Sequence, residues 1–142
     1  LGDEGSGAVL GRLLVGLLLK NQLGEELKER FLSEYGLTTA DIIERVYRQP
    51  FPNRFLASFS PFITRHLDDP RMRQLVRGAF KDFFARNVMQ YDGYADHLVH
   101  FVGSVAYHYQ PLLRDAAEGL GIHIGTIAQS PMEGLRGYYS FF

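Results

Sequence analysis

Only two segments of this chain carry a strand pattern, and one helix-length run separates them. Leu98 to Val102 is short, largely apolar and partly β-branched, and it ends at Gly103-Ser104. Ile122 to Ile127 alternates for a few residues. Between them, Ala106 to Gly119 reads as a helix closed by Gly119 and Gly121. Strand, helix and strand in that order form one unit near the end of the chain. The rest of the sequence repeats with helical period, so the class is α/β, mostly helical, with few strands. Two strands do not make a stable sheet alone. The unit is therefore expected to extend a sheet whose other strands lie upstream of Leu1.

The helical pattern is specific enough to place several boundaries. Val9, Leu10, Leu13, Leu14, Leu17 and Leu18 form the apolar face of a first helix. Glu25 to Tyr35 reads as a second, with Leu27, Phe31 and Leu32 on one face and Gly36 as its stop. Thr38, with Asp41 three residues on, caps a short third helix through Ile42, Ile43, Val46 and Tyr47. Pro50 and Pro52 impose an extended turn. Asn53 then caps a segment carrying Phe55, Leu56 and Phe59, and Ser60-Pro61 restarts it towards His66. Asp69-Pro70 opens the clearest helix, whose stripe includes Met72, Leu75, Val76, Ala79, Phe80, Phe83, Phe84 and Val88. Ser130-Pro131-Met132-Glu133 reads as a capping box opening a terminal helix to about Phe142.

At 142 residues the chain has the length of one domain with a single core. A net charge of -1 argues against a nucleic-acid surface, which carries a basic excess. With no cysteine there is no disulfide, thiolate zinc site or Cys-ligated iron–sulfur cluster within these residues, which fits a reducing cytoplasm. Leu1 in place of Met marks a fragment or a processed product. The apolar run Val9 to Leu19 follows Asp3 and Glu4 rather than a basic segment, and Arg12 interrupts it. It is too short to span a bilayer, so a buried core helix is expected and a membrane partner is not.

Two places invite a ligand. The opening Gly2-Asp3-Glu4-Gly5-Ser6-Gly7 sets two carboxylates among glycines where a helix begins. The free N–H groups of a first turn favour an anion or a sugar hydroxyl. The motif is not a Walker A loop, because Ala8 and Val9 stand where Lys and Ser/Thr are required. Nor is it a dinucleotide fingerprint, because Leu10 takes the place of the third glycine. Carboxylates at this position suit sugar hydroxyls or a hydrated metal ion; they also suit plain N-capping. The second place is Gly103-Ser104-Val105, a strand running into a helix, which sets backbone N–H groups at the carboxyl edge of a sheet. An ordinary βα turn is the simpler account of that segment taken alone.

The remaining polar residues are less informative. His97 and His100 are expected on opposite sides of a strand entrance, where they do not share a metal. His66, His108 and His123 are isolated. Arg71, Arg73, Arg77, Lys81 and Arg86 read as a solvated helix face, although cations oppose the dipole where the helix starts. An anion or an acidic partner surface is the alternative account of them. The apolar stripe of that helix suits either a core or a homodimer interface.

Four segments in order carry a family resemblance: Gly2-Asp3-Glu4-Gly5-Ser6-Gly7, Phe51-Pro52-Asn53-Arg54-Phe55-Leu56, Val102-Gly103-Ser104-Val105-Ala106 and Ser130-Pro131-Met132-Glu133-Gly134-Leu135. With them the chain resembles the C-terminal half of N-acetylglucosamine kinase-like proteins of the BadF/BadG-type ATPases, in the sugar kinase and actin superfamily. The resemblance implies a partial RNase H-like, actin-like ATPase domain over residues 1–142, with ATP in a cleft between two such domains. By it Gly2, Asp3 and Glu4 lie beside an amino sugar, Asp3 in direct contact. Gly103, Ser104 and Val105 form the loop against adenosine, with Pro131 to Leu135 nearby.

The chemistry implied is transfer of the ATP γ-phosphoryl group to a sugar hydroxyl, with Mg2+. The family's phosphate loops and catalytic aspartate precede the Gly-Asp-Glu-Gly-Ser motif. The resemblance therefore assigns no catalytic base to this chain and makes the N-terminal half of the same protein its partner. Two other functions stay open: an ATPase driving electron transfer, against which the absence of cysteine weighs, and a sugar or nucleotide sensor without turnover.

Overall fold

The computed structural model describes residues 2–50, 52–130 and 138–141, and the side chains among them except those of residues 2–5 and 138. In chain order the helices are α1 (Gly2–Leu19), α2 (Glu25–Tyr35), α3 (Thr39–Tyr47), α4 (Asn53–Ala57), α5 (Ser60–Arg65) and α6 (Pro70–Asn87). A single 3-10 turn, Tyr94–Asp96, leads into β1 (Leu98–Val102). Then come α7 (Ser104–His108), α8 (Gln110–Gly119), β2 (His123–Ala128) and β3 (Tyr138–Ser140). The strands form one parallel sheet in the order β2-β1-β3. The class is as expected: mostly helical α/β with a small parallel sheet.

Local chemistry sets several of these boundaries. Gly36 closes α2 in the left-handed region at φ 61, where a side chain is disfavoured. Thr38 Oγ1 accepts from the Asp41 N–H at 3.1 Å, and the Asp41 carboxylate accepts from the Thr38 N–H at 2.9 Å. Those hydrogen bonds complete the capping box and hold the Asp41 carboxyl below its ordinary range. Asn53 does not cap; Pro52 occupies that place in a helical conformation, φ -73 and ψ -4.

Asp69 caps α6 by accepting from the Arg71 N–H at 2.9 Å. The Arg71 guanidinium also donates to it, at 2.7 and 3.0 Å. That second contact is the main reason the Asp69 carboxyl falls from 3.8 to about 2. A depressed folded-state value contributes stability that is complete above about pH 4 and lost as the pH falls through about 2. Asp69→Asn keeps a capping oxygen and removes the charge. It is expected to cost about 1 kcal/mol at pH 7 and nearly nothing at pH 2, read as urea midpoints across that range.

The basic face of α6 is explained within the molecule. Arg71 donates to the Leu23 carbonyl as well as to Asp69, and Arg73 donates to the carbonyls of Leu67 and Asp68 at 2.9 and 2.8 Å. Arg77 pairs with Asp115 on α8 at 2.7 Å, and Arg86 with Asp82 at 3.3 Å. No anion or acidic partner is required to account for these four.

Two aromatic groups anchor the core. Phe31 on α2 is fully buried, with its ring centroid 4.9 Å from Phe59 and 5.1 Å from Phe62. The second group joins α6 to the sheet: Phe84 lies 5.6 Å from Phe101 on β1, and Phe80 lies 5.0 Å from Phe141 just after β3. The α6 stripe is thus taken up by the core, with Met72, Val76, Phe80 and Phe84 buried. Against it runs α1, burying Leu10, Leu14 and Leu18. The most extensive helix contact of α1 is with α4, made possible by Gly7 and Gly11 on its facing side.

Two boundaries differ from the sequence pattern. The helix between the strands breaks at Tyr109 into α7 and α8, with Pro111 in the first turn of α8. Residues 138–140, expected in a terminal helix, form β3 against β1. The segment Tyr138-Tyr139-Ser140-Phe141 is aromatic-rich, and such side chains suit a pleated surface better than a helix. The capping box expected at Ser130 to Glu133 lies mainly outside the described residues.

Candidate functional site

Because all three strands run parallel, Val102, Ala128 and Ser140 end on one edge of the sheet. Crevices outside such carboxyl edges are where open α/β sheets bind ligands. At this edge β1 turns into α7 through Gly103, whose φ of 134 and ψ of 153 lie in a region essentially confined to glycine. The Gly103 N–H donates to the Ala128 carbonyl at 2.9 Å and ties the turn to the end of β2. Its own carbonyl accepts from the Tyr107 N–H at 3.0 Å, closing the first turn of α7. A Cβ on Gly103 would meet no atom within 4 Å, so the space over the turn is open.

Beside this turn is a groove of about 620 Å3. Its walls include Ser104 and Val105 from α7, Leu10 from α1, Ser60 and Thr64 from α5, and Gln129 after β2. Its volume falls in the range of small-molecule and cofactor sites. The base is fixed by Tyr109, a nearly buried side chain whose phenol shares a 2.6 Å hydrogen bond with Thr64 Oγ1. Burial raises the Tyr109 pKa, so the phenol stays neutral and holds α5 to the α7–α8 junction.

The glycine-rich opening reaches the same edge. Gly2, Asp3 and Glu4 form the first turn of α1, and the Ser6 hydroxyl, 4% exposed, donates to the Phe141 carbonyl just beyond β3. Positions 3, 6, 7 and 10 follow one another along one helix face. That row runs from Asp3 to Leu10, which lines the groove. The side chains of Asp3 and Glu4 are outside the described residues, as is the segment Pro131 to Leu135.

Both sequence-derived candidates therefore converge on the carboxyl edge. Sequence reading missed Leu10, Thr64, Tyr109 and Gln129. Pro111 was a usable signal for the helix break that seats Tyr109; nothing local marks the other three.

His66 and His108 are held by structural contacts. His66 Nε2 lies 3.0 Å from Glu34, whose carboxyl is lowered chiefly by the hydrogen bond from Arg65. The His108 ring sits edge-on to Tyr109. Among the described residues no three His, Asp or Glu side chains stand together as a metal site, and no helix is long and apolar enough to cross a membrane.

Helices packed on a short parallel sheet, with a ligand-sized groove at its carboxyl edge, are consistent with a partial RNase H-like, actin-like fold. Among solved structures the chain is similar to a crystal structure from Porphyromonas gingivalis described as a "Putative N-acetylglucosamine Kinase". The two are 58% identical and superpose with a TM-score of 0.82 over 92% of this chain. This chain spans 46% of that one, about half its length. No family model matches the sequence, and no curated protein matches it.

Proposed function

We propose that this chain is the C-terminal, ATP-side domain of an amino-sugar kinase of the BadF/BadG type. The intact protein transfers the ATP γ-phosphoryl group to a hydroxyl of N-acetylglucosamine or a close relative. The observation that carries this is the 58% identity to the Porphyromonas gingivalis protein, whose description names that activity. The meeting of Ser104, Val105 and Leu10 on one open groove supports it.

The residues present suit a nucleotide. The open face of Gly103 admits a planar or phosphate-bearing group close to the backbone, and the groove beside it has room for a nucleoside. Gly2, Asp3 and Glu4 are assigned to the sugar, and Gly103, Ser104 and Val105 to adenosine. Bound ATP supplies the phosphoryl group; the residues of this chain position it and exclude water. Mg2+ is required by that chemistry. The catalytic base and phosphate loops are assigned to an N-terminal half, which is the principal partner. The same reading places the intact protein in the cytoplasm. Any homodimer uses a surface other than the α6 stripe, which the core occupies.

ADP release from the intact protein tests this, with ATP, Mg2+ and a panel of N-acetylglucosamine, glucosamine, N-acetylmuramic acid and glucose. Turnover dependent on an amino sugar is the expected result. Sugar-independent hydrolysis would indicate an energy-coupling ATPase instead, and nucleotide binding without turnover a sensor. Within the same assay series, Gly103→Ala is expected to weaken nucleotide binding about tenfold or more. Its backbone conformation costs a side-chain-bearing residue about 1–3 kcal/mol, so the turn must rearrange. Calorimetric titration with ADP reads this, and unchanged affinity would remove the turn from the site.

A further inference from the structure

A second pocket, of about 490 Å3, lies where α2, α3 and α4 meet. It shares no lining residue with the groove beside Gly103, and its volume is that of a small-molecule site. Arg45 from α3, Gln49 just beyond it, and Arg54 and Phe55 from α4 line the pocket; among the described residues no Asp or Glu does. Arg45 Cζ lies over the Phe55 ring, 4.2 Å from its centroid. The ring holds the cation through its quadrupole and engages none of its N–H donors with an oxygen. The acids on the adjoining helices are occupied elsewhere. Glu34 pairs with Arg65 at 2.9 Å and with His66 at 3.0 Å, Asp41 closes the capping box, and Glu44 pairs with Arg48 at 3.4 Å. Among the described residues no oxygen accepts a hydrogen bond from Arg45.

We propose that this pocket is a second binding site, for a small-molecule oxyanion whose carboxylate or phosphate group is gripped by the N–H donors of Arg45. A guanidinium presents those donors as a planar fork that matches two oxygens at once, and such charge-assisted bonds are stronger than neutral ones. Contact with Phe55 holds the group in place before a ligand arrives, so less freedom is lost on binding. The Gln49 amide adds uncharged donors to the lining, and Leu37 and Pro52 offer apolar surface to the body of the ligand. Arg45 is exposed, so its field is screened by salt, and the affinity for a bare anion is on the order of 1 mM. The site does not depend on what the groove beside Gly103 binds.

The test is a titration of the intact, isotopically labelled protein with inorganic phosphate and with acetate, at constant ionic strength set with chloride. The Arg45 Nε–H resonance, identified by its loss in Arg45→Gln, is expected to shift saturably. A response to phosphate alone marks a phosphoryl ligand, to acetate alone a carboxylate, and to both a site that takes either. Followed at the Gln49 backbone amide, the dissociation constant should rise about tenfold or more in Arg45→Gln. It should rise several-fold in Arg45→Lys, which keeps the charge but loses the fork. Arg48→Gln, which removes an exposed cation already paired with Glu44, should leave it unchanged. An Arg45 resonance that does not shift saturably with either anion overturns the proposal. So does full affinity in Arg45→Lys, or a loss in Arg48→Gln equal to that in Arg45→Gln.

Discussion

Gly11→Ala is expected to destabilise the protein by about 3 kcal/mol or more, although alanine is the better helix former by about 1 kcal/mol. The reason is a backbone approach rather than a side-chain fit. A Cβ on Gly11 would come within 2.6 Å of the Leu56 carbonyl carbon and overlap its oxygen. Leu56 lies in α4, the helix packed most extensively on α1, so the collision is resolved only by separating the two. A flexible side chain turns aside at small cost, whereas a helix backbone does not. Gly16→Ala, on the same helix, meets nothing within 4 Å and is expected to raise stability by about 0.5–1 kcal/mol. Urea midpoints of the two variants should therefore move in opposite directions. If both gain stability, the α1–α4 packing described above is wrong.

Asp3→Ala is expected to lower kcat/KM for sugar phosphorylation by the intact protein about a hundred- to a thousandfold. Glu4→Ala should cost less than about tenfold. The difference follows from helix geometry: position 3 begins the row through Ser6, Gly7 and Leu10, whereas position 4 is turned about 100° away from it. Both substitutions remove a first-turn acid, so their effects on stability should be similar and small. Equal losses of activity, or an Asp3→Ala loss matched by a lowered urea midpoint, would reduce the motif to helix capping.

The legible parts of this fold are those whose causes lie within a few residues. The capping box of Thr38 and Asp41, the Gly36 stop, and the Asp69-Pro70 start are each completed by neighbours in sequence. β1 was legible for the same reason, since its pattern ends at a glycine that no other residue replaces easily. The break at Tyr109 is of another kind. Pro111 hints at it, but the hydrogen bond that holds it comes from Thr64, 45 residues away. The two tyrosines of Tyr138–Ser140 favour a pleated surface, but the strand is completed only by pairing with β1.

Sequence alone therefore determined the helical character, the strand–helix–strand unit and the two glycine-bearing segments, because propensity, caps and periodicity act over short distances. Tertiary structure alone decided that α1 and α4 touch through Gly11, that the His100 ring accepts from the Thr126 N–H, and that the two glycine segments meet at one sheet edge. Those are contacts between residues 26 to 135 positions apart or between whole helices. Only the closing of the chain on itself brings them together.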